Sequence, residues 1–268
     1  MILIRECQSM EELDEIVRLQ VDTWGYDPAD IMPRKAFVVI LKVGGQVLGA
    51  FDTSLPDASR EGDPKSMVGF SMSLPGVHPA GGSAAPPQPY LHSHMLAVRE
   101  PYRNRGIGRQ LKLHQRVEAL RRGITHIEWT FDPLEIKNAH LNICRLGAIV
   151  RGYRPDFYGA SSSRLQGGLP TDRLIAEWHL SSPRVASILA GEPPEAPVIT
   201  QRIAVPGLIY HWKASDKDRG RALALQSENR LKFQSAFANG QGILSFRRDE
   251  NGDGIYELGP IDQPASGI

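Results

Sequence analysis

The stretch "REPYRNRGIGRQL", residues 99–111, decides how the rest of the chain is read. It follows "LHSHMLAV" (91–98), which reads as a strand, and it opens a helix from about Gly106 to Arg122 that closes at Gly123. Gly106 and Gly108 mark a tight strand-to-helix turn, and Arg103, Arg105 and Arg109 surround it with positive charge. Such a turn suits an anion. The first N–H groups of a helix have no partner within it, the helix dipole favours negative charge there, and glycine lets backbone approach a ligand closely. An ordinary turn with solvated arginines is the plainer alternative. Spacing excludes two phosphate loops. A Walker A loop needs Gly-Lys-Ser/Thr, and Gly108 is followed by Arg-Gln-Leu. A dinucleotide fingerprint needs a third glycine, and Leu111 stands there.

Before this turn, "ILIREC" (2–7) reads as a strand. Ser9 and Glu12 form a capping box for a helix whose buried face is Leu13, Ile16, Val17 and Val21. "RKAFVVILK" suits helix or strand, while "GGQVLGAFDTS" and "KSMVGFSMSL" read as strands. Residues 75–90, rich in proline and glycine, read as a long loop, either plain surface or a lid. After the turn, Leu113, Val117 and Leu120 form the buried stripe of the helix. "ITHIEWTF" (124–131) is a strand, and Asp132, Pro133 and Glu135 make a second capping box for a helix that stops at Gly147. Strands follow within 148–159 and 167–180. The order predicts an α/β layered domain over residues 1–180. Residues 181–194 read as a linker. Residues 195–268 read as a small α+β subdomain with a hairpin through Asn251-Gly252, too short for a core of its own.

Bulk properties narrow the class. Among 268 residues, 31 Lys and Arg balance 30 Asp and Glu, which argues against a dedicated nucleic-acid binder. Cys7 and Cys144 make neither a disulfide framework nor a zinc cluster, so a reduced, cytoplasmic setting is expected, with Cys144 inert. The N-terminus lacks the pattern of a signal peptide, and the longest apolar run, 36–41, is too short to span a bilayer. "DENGDG" (249–254) begins like a calcium loop, but Pro260 stands where the closing glutamate belongs, so a hairpin turn is expected. The helix over 218–237 reads as amphipathic packing.

The segment "AVREPYRNRGIGRQL" carries Arg103-x-x-Gly106-x-Gly108 and resembles motif A of the GNAT superfamily of acyl-CoA-dependent acyltransferases. "NAHLNICRLGA" (138–148) resembles the family's later cofactor-side helix. The likeness extends over roughly residues 1–180, and "LHSHMLAV", "WTFDPLEIKNAHLN" and "LPTDRLIAEW" look like one bacterial branch, some members of which are linked to amino-acid N-succinylation. The resemblance implies a GNAT-like mixed twisted sheet with flanking helices. It also implies an acyl-CoA co-substrate, acetyl-CoA first among them, whose pyrophosphate meets Arg103, Asn104, Arg105, Gly106, Ile107, Gly108 and Arg109. By family position, a bulged strand at Leu96, Ala97 and Val98 offers main-chain N–H to the thioester oxygen, and Asn138 and Asn142 contact the pantetheine arm. The two asparagines are four apart, on one helical face, where a solvated face is the plainer reading.

Acyl transfer to an amine needs a base, a stabilised oxyanion and a departing thiolate. His94, where many relatives place glutamate, is the expected base, with His92 and Glu128 as further candidates. The family's usual tyrosine acid is replaced by Ile143, so Tyr158, Tyr153 or water takes that part. Arg173 or Arg164 is expected to bind a carboxylate on the acceptor. The expectation is an enzyme that acylates a primary amine of a small molecule, with no metal, no nucleic acid and no membrane partner, as a homodimer. Three rivals remain: an amino-acid N-succinyltransferase using succinyl-CoA, a catalytically silent CoA-binding module, and a binder of an unrelated nucleotide.

Overall fold

The computed structural model of the chain describes residues 1–55, 64–78 and 88–261. They form two compact units, Met1–Ile127 with Ser162–Arg164, and Glu128–Ser161 with Leu165–Ile268. Sheet and flanking helices build both, in the α/β arrangement predicted from the sequence.

In the first unit, β1 (Ile2–Glu6), β2 (Gln46–Asp52), β3 (Met67–His78) and β4 (Gln88–Val98) lie side by side in that order, each antiparallel to the next. All seven residues of β2 are buried, because helices cover both of its faces. On one side, α1 (Met10–Trp24) and α2 (Arg34–Lys42) bring Leu13, Ile16, Leu19, Phe37 and Ile40 against Val47, Phe51 and Met95. On the other, α3 (Ile107–Arg121) sets Ile107 and Leu111 against Ile4, Leu48 and Val68. The strand β5 (His126–Phe131) begins in this unit.

The second unit contains β6 (Ile149–Arg154), β7 (Arg173–His179), β8 (Gln201–Val205), β9 (Gln241–Arg248) and β10 (Gly254–Pro260), in the order β7-β6-β9-β10-β8. Its helices are α4 (Ile136–Ala139), α5 (Pro183–Ala190), α6 (Ile209–Ala214) and α7 (Arg219–Ala238). Phe233 of α7 stacks on Tyr153 and meets the edge of Tyr256, joining β6, α7 and β10 in one core. The boundary between the two compact units falls within β5, between Ile127 and Glu128.

Several elements differ from their sequence reading. In α1, Ser9 Oγ does accept the Glu12 N–H, but Val21 is exposed. Gln20 is buried instead, because its amide bonds both the N–H and the carbonyl of Met32. In α3, the stripe is Ile107, Leu111, Gln115 and Ala119, and Val117 is 64% exposed. The i, i+4 series was hidden because Gln115 is polar. The ambiguous segment at 34–42 is helix. Strands β3 and β4 run into the expected loop at both ends, and its middle, 79–87, lies outside the described residues. Within the expected linker, Ser182 caps α5 and Gly191 ends it in a left-handed conformation. Asp132 caps a turn through the Leu134 N–H, not a helix. Both Asp132 and Glu135 take the buried Lys213 ammonium, at 2.9 and 3.0 Å, so no second capping box forms.

Candidate active site

The turn at 99–106 is held by its own side chains. The Arg99 guanidinium reaches Asp22, Glu15 and the Met67 carbonyl, which fixes the end of β4. The Tyr102 hydroxyl donates to Asp52 at 2.9 Å, and Arg105 lies over the Tyr102 ring. Ser54 and Tyr102 hydrogen bonds hold the Asp52 carboxyl down to a pKa of about 2. Arg103 Nε donates to the Val98 carbonyl, closing the turn at 3.1 Å.

Two residues here have positive φ, Asn104 at 62° and Gly106 at 79°. Gly106 is the N-cap of α3 and no side chain caps it, so the N–H groups of Ile107, Gly108 and Arg109 point out of a helix end that carries no acidic residue in its first turn. Arg103, Asn104, Arg105 and Gly106 are exposed. The helix end thus carries main-chain N–H groups with no side-chain cap, and Arg103 and Arg105 are exposed beside it.

The bulge in β4 lies elsewhere than expected. Leu96, Ala97 and Val98 pair regularly with Ser71, Phe70 and Gly69, while Met95 pairs with Met72 and Ser93 with Ser73, so His94 is the extra residue. Packing explains this. Ser93 bonds Lys112 and Gln115 of α3, whereas Met95 packs with α1 and α2 on the opposite face. Two residues of the same parity reach opposite faces only if one extra residue intervenes.

Burial and the neighbouring His92 drive the His94 pKa down to about 4, with ring centroids 6.0 Å apart. His94 is therefore neutral at pH 7 and a weak base. Beneath it lies a polar network that sequence reasoning missed. Lys112 Nζ donates to Ser93 Oγ at 2.8 Å, Ser93 Oγ to Gln115 Oε1 at 3.0 Å, Gln46 to the Gln115 carbonyl and Ser73 to Gln46. Burial lowers the Lys112 pKa well below its usual value. A lysine beside the apolar stripe of a helix gives no signal of its own in the sequence.

In the second unit, Tyr158 is exposed and its hydroxyl lies 3.1 Å from Thr130 Oγ1. Arg173 lies over the Tyr158 ring, and its terminal nitrogens donate to Gln166 and the Asp172 carbonyl. Tyr153 is buried and bonded to Asp172, which Arg230 also holds at 2.8 and 2.9 Å. Burial first, then Asp172, raise the Tyr153 pKa, which makes it a weaker acid than a free tyrosine. Asn138 and Asn142 do not share a face. α4 passes into a π-helical segment at His140–Arg145, which breaks the four-residue spacing and leaves Asn138 exposed and Asn142 buried. Cys144 donates to the Phe246 carbonyl, and burial raises its pKa, consistent with an inert thiol.

The mixed twisted sheet with its flanking helices and the glycine turn into α3 fit the acyl-CoA-dependent transferase fold, and sequence comparison shows the family. Residues 5–141, just over half the chain, match the Acetyltransferase (GNAT) family, and the chain belongs to that family. Membership supports acyl-CoA-dependent N-acyltransferase activity. No curated protein matches the chain. Among solved structures, it resembles NAA60 of Arabidopsis thaliana in complex with acetyl-CoA, with a TM-score of 0.52 and 16% identity over 67% of this chain and 99% of that one. It is also similar to the ribosomal-protein-S18-alanine N-acetyltransferase of Escherichia coli, with a TM-score of 0.48 and 15% identity over 68% and 96% of the two chains. Among the described residues, no helix is long and apolar enough to cross a membrane.

Proposed function

We propose that this protein transfers an acyl group, acetyl first, from acyl-CoA to a primary amine of a small molecule by direct attack. The observation that carries the reading is the uncapped N-terminus of α3 at Gly106, ringed by Arg103, Arg105 and Arg109. Its N–H groups at Ile107, Gly108 and Arg109, with the backbone of Asn104, take the cofactor's pyrophosphate. Main-chain N–H at Leu96, Ala97 or Val98 polarises the thioester, where such a donor is worth a hundredfold or more in rate, on the order of that seen for other oxyanion holes. Of the two asparagines, the exposed Asn138 is the one offered to the pantetheine arm.

His94 is the proposed proton acceptor. Being neutral, it does not repel an incoming ammonium, which gives its first proton to solvent and attacks as the neutral amine. So weak a base suits the proton that remains on nitrogen after attack, which is more acidic because the nitrogen lone pair has become a bond to carbon. Tyr158 is the proposed donor to the departing thiolate. Arg173, stacked on Tyr158, is proposed to hold a carboxylate of the acceptor.

Calorimetry with CoA, ATP and NAD, followed by thiol release from acetyl-CoA and succinyl-CoA over a panel of amines and amino acids, tests this reading. CoA binding with thiol release is expected, and Arg173→Ala is expected to raise the acceptor KM roughly tenfold with little change in kcat. Faster release from succinyl-CoA moves the assignment to amino-acid N-succinylation. CoA binding without release for any amine makes the protein a silent CoA-binding module. Retention of ATP or NAD without CoA ends the reading.

A further inference from the structure

Away from this turn, the first unit holds a pair of histidines to which no part of the acyl-transfer reading gives a task. His78 ends β3 and His126 begins β5. His78 Nε2 stands 3.3 Å from His126 Nδ1, with ring centroids 5.2 Å apart and planes 21° from parallel. Tyr90 of β4 stacks on His78 at 4.0 Å and 16° and so fixes its plane. Tyr90 in turn lies against Gly76, where a Cβ would stand 2.5 Å from its ring. Both histidines are half-buried.

Two kinds of contact bring imidazole nitrogens this close. In a straight N–H···N bond the rings lie end to end, and at this nitrogen separation their centres are about 5.6 Å apart. The observed centroids are nearer than in that end-to-end arrangement, as they are when both nitrogens turn toward a common third point. Two imidazoles each bound at ~2.05 Å to a tetrahedral zinc ion have nitrogens about 3.3 Å apart and ring centres about 5.2 Å apart. Both separations agree with the second geometry.

We propose that His78 and His126 form a two-nitrogen chelate for a divalent transition-metal cation of the zinc type, with water or other oxygen donors completing its shell. Imidazole selects zinc, copper and nickel over magnesium and calcium. The metal takes His78 Nε2 and His126 Nδ1, so the ring protons sit on His78 Nδ1 and His126 Nε2. Bound there, it ties the end of β3 to the start of β5. The site needs no acyl-CoA, and its failure leaves the proposed activity standing.

The test is a zinc titration of the full chain, stripped with EDTA and desalted, against a chromophoric zinc indicator. The chain is compared with His78→Gln, His126→Gln and, as a control, His114→Gln on the exposed side of α3. One equivalent of zinc is expected, at least tenfold tighter than in either of the first two variants, with the control unchanged. Binding that persists in His78→Gln and His126→Gln, or wild-type binding no tighter than theirs, overturns the chelate and leaves a histidine–histidine hydrogen bond. Should a variant not fold, nitrogen-15 spectra of the wild type decide. Zinc must move the His78 Nε2 and His126 Nδ1 resonances, and magnesium must not; if zinc leaves them in place, the chelate is wrong.

Discussion

At the scale of single residues, His94 links stability to pH in a way its sequence neighbours do not foretell. Its pKa falls from the ordinary 6.5 to about 4, because burial disfavours the imidazolium and His92 lies nearby. Between those values the unfolded chain binds more protons than the folded one, so stability rises with pH there. His94 thus supports the fold fully above its unfolded pKa, and that support is lost as pH falls from 6.5 to about 4. The slope it contributes is at most about 1.4 kcal/mol per pH unit. Urea melts of His94→Gln across this range are expected to show a flatter dependence on pH than the wild type. Equal slopes would mean that His94 titrates normally. The identity of this residue as a candidate was legible from its place before motif A. Its weakness as a base was not, since burial comes from α-helices and strands distant in sequence.

At the scale of elements, the turn into α3 was the most legible part of the chain. Gly106 adopts φ of 79° and a Cβ there meets nothing within 4 Å, so Gly106→Ala suffers backbone strain alone, roughly 1–2 kcal/mol. Gly108 has an ordinary φ, and its Cβ would meet Leu96 at 3.4 Å, an ordinary contact. Gly106→Ala is expected to lower the melting temperature and weaken acetyl-CoA binding together. Gly108→Ala is expected to fold nearly as the wild type, so any weaker binding measured by calorimetry reports a ligand close to the backbone. Unchanged affinity in both would remove the pyrophosphate from this turn. The bulge lies at His94, two residues before the Leu96–Val98 stretch that the resemblance implied, because its position depends on Ser93 and Met95 facing opposite helices. The pairing of Asn138 with Asn142 failed for a related reason. A periodicity argument assumes an unbroken α-helix, and the π segment at His140–Arg145 ends that assumption.

At the scale of the whole molecule, the C-terminal third is built into the second unit. Ile243 pairs with Val150, Phe233 stacks on Tyr153, and the Tyr256 hydroxyl donates to the Pro133 carbonyl. Asp172 is fully buried and held by Arg230. A chain ending at residue 194 would expose that core and strand the Asp172 carboxylate, a loss of about 3 kcal/mol or more from the ion pair alone. Such a chain is expected to lack a cooperative thermal transition by circular dichroism. A sharp transition, with acetyl-CoA still bound, would make residues 195–268 an appendage that the rest of the fold does not need.

The sequence by itself determined the order of most strands and helices, the glycine turn and the family that turn announces, because these rest on local periodicity, capping and spacing. The tertiary structure alone decided that α3 buries Lys112 and Gln115, that His94 is the bulged residue and a weaker base than a free imidazole, and that His78 and His126 meet. Each of those depends on which distant surfaces come together, and on the desolvation that follows, neither of which a local pattern of residues encodes.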